Sequence, residues 1–277
     1  MANLAKIAVV TAAFLIGHAA GCCQAQSDPG GSVVELETPL ASSHPLVGYL
    51  RRPHGAGPLP AVVLLHSCAG NWRRIDERWG KRIASWGYVT LAVDSLGPRG
   101  ITTTCRDSAS SDFASDPRRA LDFLTLQPSI DPARIAAIGF AMGGYFALSS
   151  VERSIAAQAS PNKFSAAAAF YPPCERLKGN MTVPTLILIG ERDDFNPADE
   201  CRHLAAGRDG WGISRGLDQG VPIKLIVYPD AYHAFDAPGV TTSSERHLEF
   251  SQSATDQSAA ALREFLDANV GGKEQIK

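Results

Sequence analysis

The chain has 277 residues, 45% of them hydrophobic, enough to bury one sizeable core or two small ones. A formal charge of −2 with 19% charged side chains leaves no electrostatic footprint for nucleic acid. With no repeat, low-complexity tract, long charge run or clear linker, one domain over residues 26–277 is expected.

The N-terminus reads as a targeting segment. Met1 to Lys6 carries one basic side chain, and Ile7 to Ala20 is a mostly apolar run of the length of a signal-peptide core. Cys23-Gln24-Ala25 is a small-x-small cleavage site before Gln26, so residues 1–25 are expected to be a signal peptide. That makes the protein exported, periplasmic or secreted, and the run is too short for a membrane span. Ala19-Ala20-Gly21-Cys22 resembles a lipobox, with Ala19 where a large aliphatic residue is usual, so a lipid anchor on Cys22 is the lesser reading.

Downstream, Val33–Leu36 and Leu46–Arg51 read as short strands, and Pro53 to Pro58 as a loop. Ala61–His66 is a continuous apolar run of the kind found in buried parallel strands. Arg74–Trp86 has helical spacing, with Ile75, Trp79, Ile83 and Trp86 near one face and Gly87 ending it. Tyr88–Val93 is the next strand, Asp94–Asp112 a long loop, and Ala114–Leu126 a helix with Pro117 in its first turn. Arg134–Ile138 is a strand and a helix opens at Gly144. Strands follow at Ala166–Tyr171 and Pro184–Ile189, a helix at Pro197–Ala206, a strand at Ile223–Tyr228 and a last helix over Ser253–Ala268. Strands alternating with helices predict an α/β class with a mostly parallel central sheet and helices on both faces.

Between strand and helix stands Gly139-Phe140-Ala141-Met142-Gly143, the spacing of an α/β-hydrolase nucleophile elbow. The central position, normally a nucleophile, is Ala141, whose side chain cannot attack a carbonyl. An ordinary glycine-rich turn would be better served by glycine there, because the elbow strains its central residue. Two later segments match the elbow. Gly190-Glu191-Arg192-Asp193 ends a buried strand in an acid, and Tyr232-His233-Ala234-Phe235 follows the last strand. Elbow, acid, histidine is the α/β-hydrolase order, each at the carboxyl end of a parallel strand. His233 is then the general base and Asp193, favoured over its neighbour Asp194, its orienting acid. The oxyanion donors are expected at the backbone N–H of Met142 and of Cys68, in the loop His66-Ser67-Cys68-Ala69-Gly70. His66 reads as structural support. Arg99 is a candidate for pairing a substrate carboxylate, and Phe140 and Tyr145 for the substrate pocket. Trp72, Met142 and Phe235 are further pocket candidates, although large apolar side chains beside a buried sheet, Phe140 and Tyr145 included, are more often core.

Cys68, Cys105, Cys174 and Cys201 follow the leader. Four cysteines in an exported chain suggest disulfides but allow three pairings. In the coarse strand order Cys68 and Cys105 follow strands near one edge of the site, as do Cys174 and Cys201, which favours pairing them so. No Cys-x-x-Cys pair remains in the mature chain, so a zinc site is not expected.

These segments, with Asp94-Ser95-Leu96-Gly97-Pro98-Arg99-Gly100 and the closing Tyr-His-x-Phe, resemble the dienelactone hydrolase family from about Val33 to Leu266. The resemblance implies an α/β-hydrolase acting on a small-molecule ester or lactone through a Ser(Cys)-His-Asp mechanism without cofactor. Cytosolic dienelactone enzymes place a glutamate where Ser67 stands, to hold a cysteine nucleophile. Its absence argues against cysteine and against dienelactone itself as substrate. Family members carry Ser or Cys where this chain has Ala141. The intact remainder of the site favours an engineered replacement, leaving a nearly inactive variant. The alternative is a natural pseudoenzyme that binds a ligand or partner in the old pocket.

Overall fold

The computed structural model describes residues 30–36, 45–55, 57–105, 111–153, 161–207, 220–240, 242 and 246–271. The expected leader over 1–25, with Cys22, lies outside these residues. Eight strands form one sheet in the order β1-β2-β4-β3-β5-β6-β7-β8. β1 (Gly31–Glu35) and β2 (Val47–Arg51) pair antiparallel, and β2 joins β4 (Val89–Asp94) antiparallel. β3 (Leu59–Leu65), β5 (Ile130–Phe140), β6 (Ala166–Phe170), β7 (Thr185–Gly190) and β8 (Ile223–Tyr228) continue with β4 as a parallel sheet.

The central runs Ala61–Leu65, Ile135–Phe140, Ala166–Phe170 and Leu186–Ile189 are buried at every residue. Helices cover both faces, so these strands carry no polar alternation, which is why they read as continuous apolar runs. β6 is built largely from alanine because α4 (Met142–Ser149) lies close upon it. A Cβ on Gly144 would come within 3.2 Å of the Ala169 methyl.

The first helix differs from its sequence pattern. It runs through α1 (Trp72–Ile75), a π turn over Asp76–Gly80 and α2 (Lys81–Ser85). The physical cause lies at Asp76, whose carboxylate turns inward to Arg51, with Nη2 at 2.7 Å and Nε at 3.2 Å. The same carboxylate occupies the place of a Cβ at position 80, 2.3 Å away, so glycine stands there. The widened turn carries Asp76 and Trp79 into the interior together. α3 (Asp116–Thr125), α5 (Ala198–Ala205) and α6 (Gln252–Asn269) complete the layers, α6 being capped by Ser251, whose Oγ accepts from the Ala254 N–H. The loop expected over Asp94–Asp112 contains a 3₁₀ turn at Gly97–Arg99.

Disulfides join Cys68 to Cys105 and Cys174 to Cys201, the expected pairing and one consistent with an exported protein. Among the described residues no helix is long and apolar enough to cross a membrane.

Candidate active site

The turn after β5 is strained as the elbow pattern requires. Ala141 has φ 50° and ψ −115°, a conformation that costs a residue with a side chain about 1–3 kcal/mol. The Ala141 N–H donates to the Phe170 carbonyl at 2.9 Å, tying the turn to the end of β6. The flanking glycines are there for contact. A Cβ on Gly139 would lie 2.0 Å from the Gly143 carbonyl oxygen, and one on Gly143 would lie 2.3 Å from that of Leu65. The second approach packs the start of α4 against the end of β3, where the loop carrying Cys68 begins.

Asp193 and His233 meet at the carboxyl ends of β7 and β8. His233 Nδ1 lies 2.8 Å from Asp193 Oδ2, with His233 7% and Asp193 5% exposed. The carboxylate must accept there, so Nδ1 donates and Nε2 is left as the basic nitrogen. The other oxygen, Oδ1, accepts from the N–H groups of Phe195 at 2.9 Å and Asn196 at 2.8 Å, which fixes the carboxylate plane. Asp194 points elsewhere, accepting from the His247 N–H at 3.1 Å. Two aromatic rings flank the imidazole. Phe195 stacks on it with centroids 4.6 Å apart and stays 40% exposed, and Tyr171 is tilted against it at 4.7 Å. Neither ring was singled out from the sequence, because both lie in loops whose folding brings them to His233 from 38 and 62 positions away (233 − 195 and 233 − 171).

Cys68 and Met142 line one cleft, together with His66, Leu96, Phe113 and Phe146. Both expected oxyanion amides therefore belong to residues on the walls of the same space. The loop after β3 turns at Ser67, whose carbonyl accepts from the Gly70 N–H at 3.0 Å. The loop is tied across to the segment after β4 by the disulfide and by the Thr104 N–H donating to the Cys68 carbonyl at 2.8 Å. His66 is spanned by two bonds. Nδ1 donates to the Ser67 carbonyl at 2.7 Å, and Nε2 accepts from the Ser95 N–H at 3.1 Å. Burial lowers its pKa below the ordinary value, against smaller opposing effects of the Ser67 bond and the Asp94 and Asp116 charges.

Arg99, Phe140 and Tyr145, the expected pocket residues, are placed as follows. The Arg99 guanidinium forms a two-pronged pair with Asp116 at 2.7 and 2.9 Å and donates to the Ser95 carbonyl at 2.6 Å. Its side chain is 4% exposed, so its charge is committed within the protein. Phe140 belongs to the core, stacked on Phe170 at 4.8 Å, because it is the last residue of β5 and faces the helix carrying Trp79. Tyr145 is half-buried and edge-on to Phe146, outside the walls of the cleft. Of the further candidates, Met142 lines the cleft. Phe235 is fully buried, and Trp72 packs near Tyr49 while donating to Asp94 at 2.9 Å. The aromatic residues that line this cleft are Phe113 and Phe146. Among the described residues no cluster of His, Cys, Asp and Glu could hold a metal ion.

The comparisons with known proteins agree with this fold. The model of the dienelactone hydrolase family matches residues 46–268. Lipase 1 of Moraxella sp. is 30% identical over 152 residues, 53% of this chain and 42% of that protein. Esterase FrsA of Klebsiella pneumoniae is 30% identical over 128 residues, 43% of this chain and 28% of that protein. The chain thus spans less than half the length of these curated relatives. Dienelactone hydrolase from Anabaena variabilis superposes with a TM-score of 0.64 at 19% identity, covering 88% of this chain and 100% of that one. Esterase 2 of Thermogutta terrifontis superposes with a TM-score of 0.63 at 18% identity, covering 87% and 95%. At that identity these two likenesses speak for the fold.

Proposed function

The chain belongs to the dienelactone hydrolase family, and from that premise we propose that it is a carboxylic ester or lactone hydrolase whose nucleophile position is occupied by Ala141. Two observations support this reading: the buried His233–Asp193 pair at 2.8 Å, and a strained turn that holds Ala141 with positive φ. A serine at 141 would lose its proton to His233 Nε2 as it attacks the acyl carbon, and Asp193 would stabilise the imidazolium. The amides of Met142 and Cys68 would receive the developing oxyanion, and His233 would return the proton to the leaving alcohol. Cys68 offers no substitute nucleophile, since its sulfur is in a disulfide.

With Ala141 in place the chain is expected to bind small esters or lactones and turn them over poorly. Triads stripped of a member keep about 10³–10⁴-fold acceleration over water from the oxyanion hole and binding. We read residues 1–25 as a signal peptide and residues 26–277 as one exported hydrolase domain, with Ala141 an introduced replacement.

The test is Ala141→Ser, leader removed, on short-chain p-nitrophenyl esters. A gain in kcat of about 10³-fold or more, abolished again by His233→Ala, supports a deleted nucleophile. A folded Ala141→Ser protein without any gain favours a natural pseudoenzyme that binds a ligand or partner.

A further inference from the structure

Asp236 is 2% exposed, and the proton transfers of ester hydrolysis give it no task. Its Oδ1 accepts from the Tyr171 hydroxyl at 2.6 Å and its Oδ2 from the Trp79 indole N–H at 2.7 Å. Arg78 Nη2 lies 3.4 Å from Oδ2. Arg78 and Trp79 both come from the π turn, so the widened helix is what delivers these partners to Asp236. Desolvating a carboxylate costs several kcal/mol, and these three contacts offset it.

Traced outward from Asp236, the bonds close a ring that runs through the His233–Asp193 pair. Tyr171 binds Asp236 through its hydroxyl, and its backbone carbonyl accepts from Asn196 Nδ2 at 2.7 Å. The Asn196 N–H donates to Asp193 Oδ1 at 2.8 Å, and Asp193 Oδ2 holds His233 Nδ1 at 2.8 Å. The chain from His233 to Asp236 closes the circuit through Ala234, at φ 56°, and Tyr171 itself sits at φ 42°. Two side-chain-bearing residues in left-handed conformations within one circuit mark a place where surrounding bonds override local preference. Burial, and then the Asp236 charge, push the Tyr171 phenol well above its ordinary pKa, so the hydroxyl keeps the proton it donates.

We infer that Asp236 is a positioning residue: through the Tyr171 hydroxyl and the Trp79 indole it fixes the loop and the aromatic wall that hold the His233 imidazole on Asp193. The inference takes from the ester-hydrolase reading only the role of His233 as base.

Asp236→Asn and Tyr171→Phe test it, each made in the chain as it stands and again with Ala141→Ser. The first readout needs no substrate. It is the downfield proton resonance of His233 Nδ1–H shared with Asp193, assigned by its loss in His233→Ala. Both substitutions are expected to shift or remove it while circular dichroism reports an unchanged fold. Beside Ala141→Ser, kcat on a p-nitrophenyl ester is expected to fall about 10- to 100-fold, with KM within about twofold. Tyr171→Phe keeps the ring and removes the hydroxyl, so it decides the matter if Asp236→Asn fails to fold. An unchanged resonance in folded Tyr171→Phe overturns the inference, and so does an unchanged kcat. If Ala141→Ser hydrolyses no ester, the functional reading fails, and the resonance alone decides on Asp236.

Discussion

The carbonyl oxygen of Ala231 lies 2.2 Å from the point where a Cβ on Gly190 would sit. Gly190 ends β7, three residues before Asp193, and Ala231 precedes His233 by two. The acid loop and the histidine loop therefore interlock at the one place where a side chain is missing. Two backbone bonds seal the contact, from the Glu191 N–H to the Tyr228 carbonyl at 2.9 Å and from the Arg192 N–H to the Ala231 carbonyl at 3.0 Å. The glycine of Gly-x-x-Asp is thus a packing requirement of the pair it precedes.

Gly190→Ala is expected to cost about 1–3 kcal/mol, because the added methyl meets backbone that must move. It should also disturb the His233–Asp193 hydrogen bond. Gly30→Ala is the control, since a Cβ there meets nothing within 4 Å. Urea denaturation of the two variants checks the claim, and equal midpoints would show that the loops separate at no cost.

Much of this site was legible in the sequence, because its signals are local. The glycines around Ala141, the acid after Gly190 and the histidine after β8 each stand at a strand end, and chain order ranks them. The pocket walls were not legible in the same way. Phe140 and Phe146 differ only in which side of the elbow they fall on, and that puts one in the core and the other on the cleft. Arg99 meets Asp116 through a loop path that no periodicity describes. Two of the Asp236 contacts come from Arg78 and Trp79 of a π turn, which the 3.6-residue spacing does not announce. Sequence patterns placed the elbow, the acid and the histidine, whereas the contacts that support them come from residues distant along the chain.

Ala141→Gly is expected to stabilise the protein. Relief of the strain at φ 50° is worth about 1–3 kcal/mol, against roughly 0.5–1 kcal/mol for the greater freedom of glycine in the unfolded chain. A net gain of about 1 kcal/mol should appear as a higher melting temperature. A lower one would mean that the turn holds alanine without strain.

The two disulfides are expected to separate by function more than by stability. They join residues 37 and 27 apart in sequence, for which chain entropy gives roughly 3–4 kcal/mol each. Replacing either pair by alanine should therefore lower stability by similar amounts. In the Ala141→Ser background, Cys68→Ala with Cys105→Ala should also reduce kcat about tenfold or more, because it loosens the loop that carries the proposed oxyanion amide. Cys174→Ala with Cys201→Ala should leave kcat much closer to the parent. Equal losses of kcat would remove the special role given to the Cys68 loop.

His66 sets an acid limit on stability. Its pKa in the fold lies below the ordinary 6.5, with burial as the largest cause, so below that pH the unfolded chain binds a proton that the folded chain resists. Stability from this group is fully present above about pH 6.5 and is lost as pH falls towards the lower folded value. The slope for one such proton reaches at most about 1.4 kcal/mol per pH unit. His66→Gln keeps an amide able to serve the Ser67 carbonyl and the Ser95 N–H but cannot titrate in this range. Melting temperatures taken from about pH 7 to about pH 5 should fall less steeply for His66→Gln than for the parent. Parallel curves would place the titrating proton on another group.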